Sequence, residues 1–231
     1  MSPAERFAAD GVLVLPGLIP EADLAAIRAS VDRQLRTPPP SINHSRPPGW
    51  EAYGTDPVQL GELLAGDPAL GALASHPTLA RATRDALGPV DDEETLVQVT
   101  SGGTGQAWHQ DTLPGPEGWQ VVNRLVYACE VSAGMGAVVV VPGSHRRGRL
   151  PPGGHQEPIP GQLALTPSAG TVVLLSTLCW HRVTPNRSDR PRYSINFRVR
   201  PPGVPAGLVK RAVFRNGDYD FAAQRPLSPP G

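Results

Sequence analysis

Residues 96–111 read LVQVTSGGTGQAWHQD, and residues 170–181 read GTVVLLSTLCWH. Each stretch joins an apolar, β-branched run, which is typical of a buried strand, to a histidine near its end. Because side chains alternate faces along a strand, His109 and Asp111 are expected to point to the same side. A partner strand would then bring His181 beside them. The two stretches therefore predict strands that share one site.

Two imidazoles and one carboxylate are a ligand set that suits Fe(II) and leaves three coordination positions open for small ligands. A His-x-Asp triplet alone is weak evidence, because a surface turn or a helix cap also explains it. The strand context and the second histidine favour the metal site. Metal binding requires neutral imidazoles, so it should weaken at acidic pH. Arg192, eleven residues past His181, is a permanent cation that suits a dicarboxylate co-substrate.

The composition describes a chain that can bury a core of its own. It has 231 residues, 39% of them hydrophobic, with 21 basic and 21 acidic side chains. The balanced charge argues against nucleic acid as a partner, and no apolar run reaches the roughly 18 to 20 residues of a membrane helix. Cys129 and Cys179 lie in apolar runs and are expected to be free thiols. The amino terminus lacks a secretory signal pattern, so we expect a cytoplasmic location.

Helical patterns occupy the first part of the chain. Residues 11–18 predict a short strand, and a helix is predicted to begin near Pro20. The buried stripe of this helix is predicted to be Leu24, Ile27, Val31 and Leu35. Helical patterns also cover about residues 58–64 and 77–87. The polar, proline-rich residues 36–56 are long for a loop without structure of its own, which favours a lid over a site.

Strand patterns dominate after residue 94. The predicted strands are 95–100, 121–131, 137–141, 162–166, 171–177 and 193–199. Short strands in this number, separated by Gly and Pro turns, predict a sandwich or a barrel. We therefore predict a single domain over residues 1–231, mainly helical in 1–93, with a β core in 94–200 and a carboxy-terminal extension in 201–231.

Four segments carry a family resemblance: DGVLVLPGLIPEADLAAIR (10–28), AWHQD (107–111), VVPGSHRRG (140–148) and HRVTPNRSDRPRYSINFR (181–198). They resemble the phytanoyl-CoA dioxygenase family of Fe(II)- and 2-oxoglutarate-dependent oxygenases, and they occur in the order of that family over nearly the whole chain. The resemblance implies a mainly β fold. Its core would be a double-stranded β-helix, a cupin-like jelly-roll, with amino-terminal helices packed outside.

The resemblance also implies the roles of several residues. His109, Asp111 and His181 would hold Fe(II), and Arg192 would anchor the distal carboxylate of 2-oxoglutarate, with O₂ as the other co-substrate. Halogenating relatives replace the carboxylate ligand with a small residue so that chloride can bind the iron. Because Asp111 keeps the carboxylate, the resemblance argues against halogenation.

Further residues are candidates for co-substrate or substrate contact. Ser194 lies two positions past Arg192, shares its strand face and would offer a hydroxyl to the same carboxylate. Gln98 and Thr100 correspond to supporting donors of the family. The substrate candidates are Trp119, Arg124, His44, Trp50 and Arg182. Core packing, a solvated loop or a surface charge would explain most of these equally well, and His145 is expected to be structural in its turn.

The predicted activity is oxidation of an unactivated C–H bond of a small molecule, with hydroxylation as the usual outcome. Epimerisation, ring closure and desaturation stay open, because no motif separates them. The composition is typical of a GC-rich bacterial genome, and by association we expect a role in natural-product biosynthesis, including antibiotic biosynthesis. Two other classes also stay open: a jelly-roll metalloenzyme that does not use 2-oxoglutarate, and a non-catalytic binding protein. The sequence leaves the oligomeric state undecided.

Overall fold

Two antiparallel sheets form the centre of this protein, and helices cover one of them. A computed structural model describes residues 1–36, 58–59, 66–100, 105–112, 120–206, 211–220 and 225–227. Sheet 1 has six strands in the order β1-β8-β5-β10-β3-β2, and sheet 2 has seven in the order β13-β12-β11-β4-β9-β6-β7. The bounds in sheet 1 are β1 Val12–Leu15, β2 Val58–Gln59, β3 Asp91–Thr100, β5 Val122–Tyr127, β8 Val172–Ser176 and β10 Arg192–Arg200. The bounds in sheet 2 are β4 Gln106–Gln110, β6 Val138–Val140, β7 Leu163–Ala164, β9 His181–Val183, β11 Arg211–Phe214, β12 Gly217–Asp220 and β13 Arg225–Leu227.

Within the described residues, four α-helices and one short 3₁₀ helix accompany the sheets. They are α1 Pro3–Asp10, α2 Glu21–Arg36, α3 Pro68–Ala74, α4 Pro77–Leu87 and the 3₁₀ helix Ser144–Arg146. The start of α1 is fixed by a capping box, in which the Ser2 hydroxyl accepts from the Glu5 amide and the Glu5 carboxylate accepts from the Ser2 amide. No helix in the described ranges is long and apolar enough to cross a membrane.

The helices pack on the outer face of sheet 1, and this packing sets which side chains of β10 point inward. Leu24, Ile27 and Val31 of α2 are fully buried in one cluster. The same cluster contains the odd-numbered residues of β10: Ile195, Phe197 and Val199. Because side chains alternate along a strand, the even-numbered residues of β10 face the space between the two sheets. That inner face carries Arg192, Ser194, Asn196 and Arg198.

The fold confirms the predicted jelly-roll and corrects it in four places. The predicted helix at 77–87 is α4 without a change of bounds, whereas Val58–Gln59 is a strand paired with β3, not part of a helix. The predicted strand at 171–177 is β8, but His181 does not end the same strand: the chain turns after Ser176, and His181 begins β9 in the other sheet. The sequence patterns missed α1 and α3, and the carboxy-terminal extension contains three strands of sheet 2. Both cysteines are free, as predicted.

Some predictions fall outside what the structure describes or tests. The proposed lid at 36–56 lies almost wholly outside the described residues, as does the side chain of Leu35. The single-domain division stays a prediction, although strands from both chain ends join the core, since β1 pairs with β8 and β11 pairs with β4. The cytoplasmic location also stays a prediction.

Candidate metal centre

Two paired strands of sheet 2 bring the predicted ligands together. In the antiparallel pair of β4 and β9, His109 lies directly opposite His181, and their ring centroids are 4.1 Å apart. Asp111 follows the end of β4, with its carboxylate oxygens 3.5 Å from His109 Nε2 and 3.6 Å from His181 Nε2. One ligand atom from each residue fits within 4.8 Å of the other two. The three side chains could therefore hold one metal ion.

Backbone carbonyl groups fix the tautomer of both histidines. His109 Nδ1 lies 2.7 Å from the Ala107 carbonyl oxygen, and His181 Nδ1 lies 2.8 Å from the Cys179 carbonyl oxygen. A carbonyl oxygen only accepts, so each Nδ1 must carry the proton and donate it. Each Nε2 then keeps its lone pair, and both lone pairs are available on the side of Asp111. This is the arrangement that a metal-ligating histidine requires.

The charges around the site keep these groups in their ligating forms. Burial alone would raise the pKa of Asp111, but the Arg198 guanidinium and the two imidazoles outweigh burial and hold that pKa well below its usual range. Burial, with the neighbouring His109, lowers the pKa of His181 to about 4. At neutral pH, Asp111 is therefore an anion and His181 a neutral base, as metal binding demands.

A second polar group lies further along the inner face of sheet 1. Arg192 is fully buried, and its Nη1 donates to the Gly136 carbonyl oxygen over 2.8 Å. Ser194 lies directly opposite Tyr127 on β5, and both hydroxyl groups are buried without a hydrogen-bond partner among the described residues. Burying such a group unsatisfied is costly. These hydroxyls beside a buried guanidinium fit an anionic group such as the distal carboxylate of 2-oxoglutarate.

The register of β3 with β10 sets the backbone positions of the other two co-substrate candidates opposite the polar group. Gln98 pairs with Ser194, and Thr100 pairs with Arg192. Residues directly opposite each other in an antiparallel pair project to the same side. Gln98 is partly buried there, and the side chain of Thr100 lies outside the described set. The position of Gln98 opposite Ser194 is therefore consistent with the role that the family resemblance implies for it.

The structure does not bring two of the substrate candidates to the metal centre. Arg124 faces the helices, where its Nε donates to the Phe197 carbonyl oxygen and its Nη1 lies 3.4 Å from Thr83 of α4. Arg182 faces the outer side of sheet 2, over the Trp108 ring and bonded to Gln156. Both follow from strand alternation, because each arginine is next to an inward-facing residue. The remaining candidates, Trp119, His44 and Trp50, lie outside the described residues.

His145 is structural, as expected from the sequence. It lies in the 3₁₀ helix after Gly143, and its Nε2 is 3.3 Å from the Ala8 carbonyl oxygen of α1. A side chain at Gly11 would collide with its ring, and Gly11 also has a φ of 67°, which favours glycine. The turn therefore joins sheet 2 to the amino terminus of the chain.

Three residues of the site were not identified from the sequence. Asn123 on β5 donates to Asp111, Arg198 on β10 lies beside the same carboxylate, and Phe214 on β11 stacks on His109. Signals for the first two existed: Asn123 is a polar residue in an apolar run, and Arg198 shares the strand face of Arg192. Phe214 belongs to the extension for which no strand was predicted, although its backbone pairs directly with His109.

Replacement of Phe214 by alanine is expected to lower the free energy of unfolding by about 3–5 kcal/mol, because a fully buried ring is lost and a cavity remains. Phe214 is 2% exposed and packs with Ala107 and Tyr219 beside His109. The measurement is urea unfolding of the full chain. Leu163→Ala is the matched control, since this sheet 2 leucine is 52% exposed and its loss should change stability by no more than about 0.5 kcal/mol. Equal effects would contradict the assigned packing.

Comparisons with known proteins agree with the fold. A family model described as phytanoyl-CoA dioxygenase matches residues 7–194. An ectoine dioxygenase of Bordetella parapertussis is 27% identical, over 96% of this chain and 84% of that relative. The structure of SnoN, an α-ketoglutarate-dependent epimerase from nogalamycin biosynthesis, gives a TM-score of 0.68 at 21% identity, over 92% of this chain and 83% of that one. HygX from Streptomyces hygroscopicus, solved with nickel and 2-oxoglutarate, gives a TM-score of 0.62 at 19% identity, over 85% of each chain.

Proposed function

The chain belongs to the phytanoyl-CoA dioxygenase family, and we propose that it hydroxylates an unactivated C–H bond of a small molecule. It is an oxidoreductase that depends on Fe(II) and 2-oxoglutarate. One observation carries the assignment of the site: two histidine Nε2 atoms with available lone pairs and one ionised carboxylate converge within 4.8 Å. This is the ligand set expected for non-haem Fe(II) with open coordination positions.

Each part of the site has a separate role in the proposal. His109, Asp111 and His181 would hold Fe(II), and Arg192 with Ser194 would bind the distal carboxylate of 2-oxoglutarate. Fe(II) and 2-oxoglutarate held there would supply the activation of O₂, with one oxygen atom passing to the substrate and the other to succinate as CO₂ is released. Both histidines, Arg192 and Ser194 face the space between the sheets and are buried, and a site that excludes water would favour oxidation of the substrate over side reactions.

The relatives support two outcomes for the substrate. The similarity to an ectoine dioxygenase over most of both chains favours oxygenation of a small molecule. The fold shared with the epimerase SnoN keeps epimerisation as the second candidate. The biosynthetic setting of SnoN, together with the bacterial type of composition, supports a place in natural-product biosynthesis for this chain as well. Mass analysis of the product would separate the two outcomes, because hydroxylation adds one oxygen atom to the substrate and epimerisation adds none.

Anaerobic titration tests the proposed co-substrate and metal together. Protein loaded with Fe(II) is titrated with 2-oxoglutarate, and the expected result is the weak visible charge-transfer band of the iron chelate. Succinate release, screened against candidate metabolites, then identifies the substrate. Folded, iron-loaded protein that shows no such band would remove 2-oxoglutarate from the proposal and favour a different kind of metalloenzyme. Folded protein that binds no iron would favour a binding protein.

A further inference from the structure

We propose that Asn123 is a positioning residue for the metal ligand Asp111, and that Arg198 and Asn196 orient it for this role. The inference rests on the proposed function, because it assumes that Asp111 binds Fe(II). Asn123 Nδ2 donates to Asp111 Oδ2 over 2.7 Å. Asn123 belongs to sheet 1, whereas Asp111 follows β4 of sheet 2. The hydrogen bond therefore joins the metal ligand to the opposite sheet.

The neighbours of Asn123 allow only one orientation of its amide. Asn123 Oδ1 accepts from Asn196 Nδ2 and from Arg198 Nε, each over 2.8 Å. A reversed amide would place its NH₂ group against these two donors and its oxygen against the Asp111 carboxylate. All three contacts would then be repulsive. The two donors from β10 thus hold the NH₂ group toward the carboxylate.

Arg198 contributes charge as well as orientation. Its Nη2 lies 3.5 Å from Asp111 Oδ1, while its Nε is bonded to Asn123. One carboxylate oxygen of Asp111 thus contacts the neutral Asn123 amide, and the other lies beside the Arg198 cation. The Asp111 side chain is only 12% exposed. A carboxylate held at both oxygens cannot rotate freely toward or away from the metal, which is the usual role of groups that support a ligand.

Asp111 needs this support because of its place in the fold. β4 ends at Gln110, so Asp111 is outside the strand pairing that aligns His109 with His181. Its backbone amide is held by the Thr177 carbonyl oxygen over 2.9 Å, but this bond leaves the side-chain torsions unrestrained. Within the described chain, the polar contacts of the carboxylate come from the two histidines, Asn123 and Arg198.

The network also leaves a polar atom without a partner, which points to a function. Asn196 is 3% exposed, and its Oδ1 accepts no hydrogen bond from any described residue. A buried orphan of this kind is rare and calls for an explanation. Packing alone would favour an apolar residue at this position. The orientation of Asn123 by Asn196 Nδ2 explains why an amide is present there.

Metal affinity tests the inference without any need for turnover. Fe(II) binding to the full chain is measured anaerobically by competition with a chromogenic chelator, and Co(II) is added separately to record its visible spectrum. Asn123→Leu, which keeps the size and removes the donor, is expected to weaken Fe(II) binding by about 10- to 100-fold and to alter the Co(II) spectrum. Asn196→Leu removes one orienting donor without touching Asp111, so its effect should be smaller but of the same kind.

The matched control is Tyr193→Phe. Tyr193 Oη donates to the Asp32 carboxylate over 2.7 Å, so the control removes a carboxylate hydrogen bond of equal length from sheet 1, on the helix side. It should leave Fe(II) affinity and the Co(II) spectrum unchanged. The inference would be overturned if both Asn123→Leu and Asn196→Leu kept the wild-type Fe(II) affinity and Co(II) spectrum. If Asn123→Leu does not fold, the result for Asn196→Leu alone decides whether the inference stands. A wild-type chain that binds no Fe(II) would instead overturn the proposed function.

Discussion

Replacing Asp111 with alanine is expected to weaken Fe(II) binding by well over 100-fold and to abolish succinate release. Loss of a residue that only supports a metal ligand lowers metal affinity by about 10- to 100-fold. Asp111 is itself a ligand, so its loss should lower the affinity further. Asp111 is the one anion of the triad, so its loss removes the charge that attracts the metal. The loss also exposes the site to the Arg198 cation, whose Nη2 lies 3.5 Å from the carboxylate, and a cation repels Fe(II).

The control for this substitution is Asp218→Ala. Asp218 also lies in sheet 2, where it forms an ion pair with Arg149. Its removal should leave Fe(II) affinity intact even if stability falls. Iron binding is measured by the same chelator competition, and succinate by its release with and without substrate. If Asp111→Ala bound Fe(II) as tightly as the wild-type chain, the metal centre assigned to the two strands would be wrong.

The period of two along a strand predicted much of this site from the sequence. It placed His109 and Asp111 on one side, and it extended the face of Arg192 to Ser194. The same rule, carried two and four residues further, leads to Asn196 and Arg198, whose contacts with Asn123 the structure shows. Those contacts join β5 to β10, and the pairing of distant strands is not encoded in any short stretch of sequence.

The corrections have the same physical origin. A continuous apolar run from Gly170 to Trp180 gives no sign of the turn at 177–180 that sends the chain from sheet 1 to sheet 2. Periodicity cannot separate one long buried strand from two short ones joined by apolar residues. The carboxy-terminal hairpin did have a local signal in the Asn216-Gly217 pair, although the turn of the structure is Arg215-Asn216, one residue earlier. Its pairing with β4, which places Phe214 on His109, depends on tertiary contacts.

Replacing Arg192 with methionine is expected to raise the 2-oxoglutarate concentration needed for turnover by about 30-fold or more, with Fe(II) affinity nearly unchanged. Breaking a buried charge pair costs about 2–5 kcal/mol, and 2 kcal/mol corresponds to about 30-fold. Arg192 is fully buried, beside the hydroxyls of Ser194 and Tyr127, so water cannot replace its contact with a carboxylate. The measurements are the KM for 2-oxoglutarate and the intensity of the charge-transfer band at fixed iron.

The control is Arg200→Met, which removes a guanidinium from the same strand without removing the proposed contact between Arg192 and 2-oxoglutarate. Arg200 lies on the same strand but already binds carboxylates of the chain, with Nε 2.9 Å from Glu93 and Nη1 3.0 Å from Asp91. Its replacement should leave the 2-oxoglutarate requirement unchanged, because the partners of its charge are internal. An unchanged requirement in Arg192→Met would mean that the buried cation serves the fold and that 2-oxoglutarate binds elsewhere. A raised requirement in Arg192→Met alone would place the distal carboxylate on the inner face of β10, in line with Ser194 and away from the ligand network around Asp111.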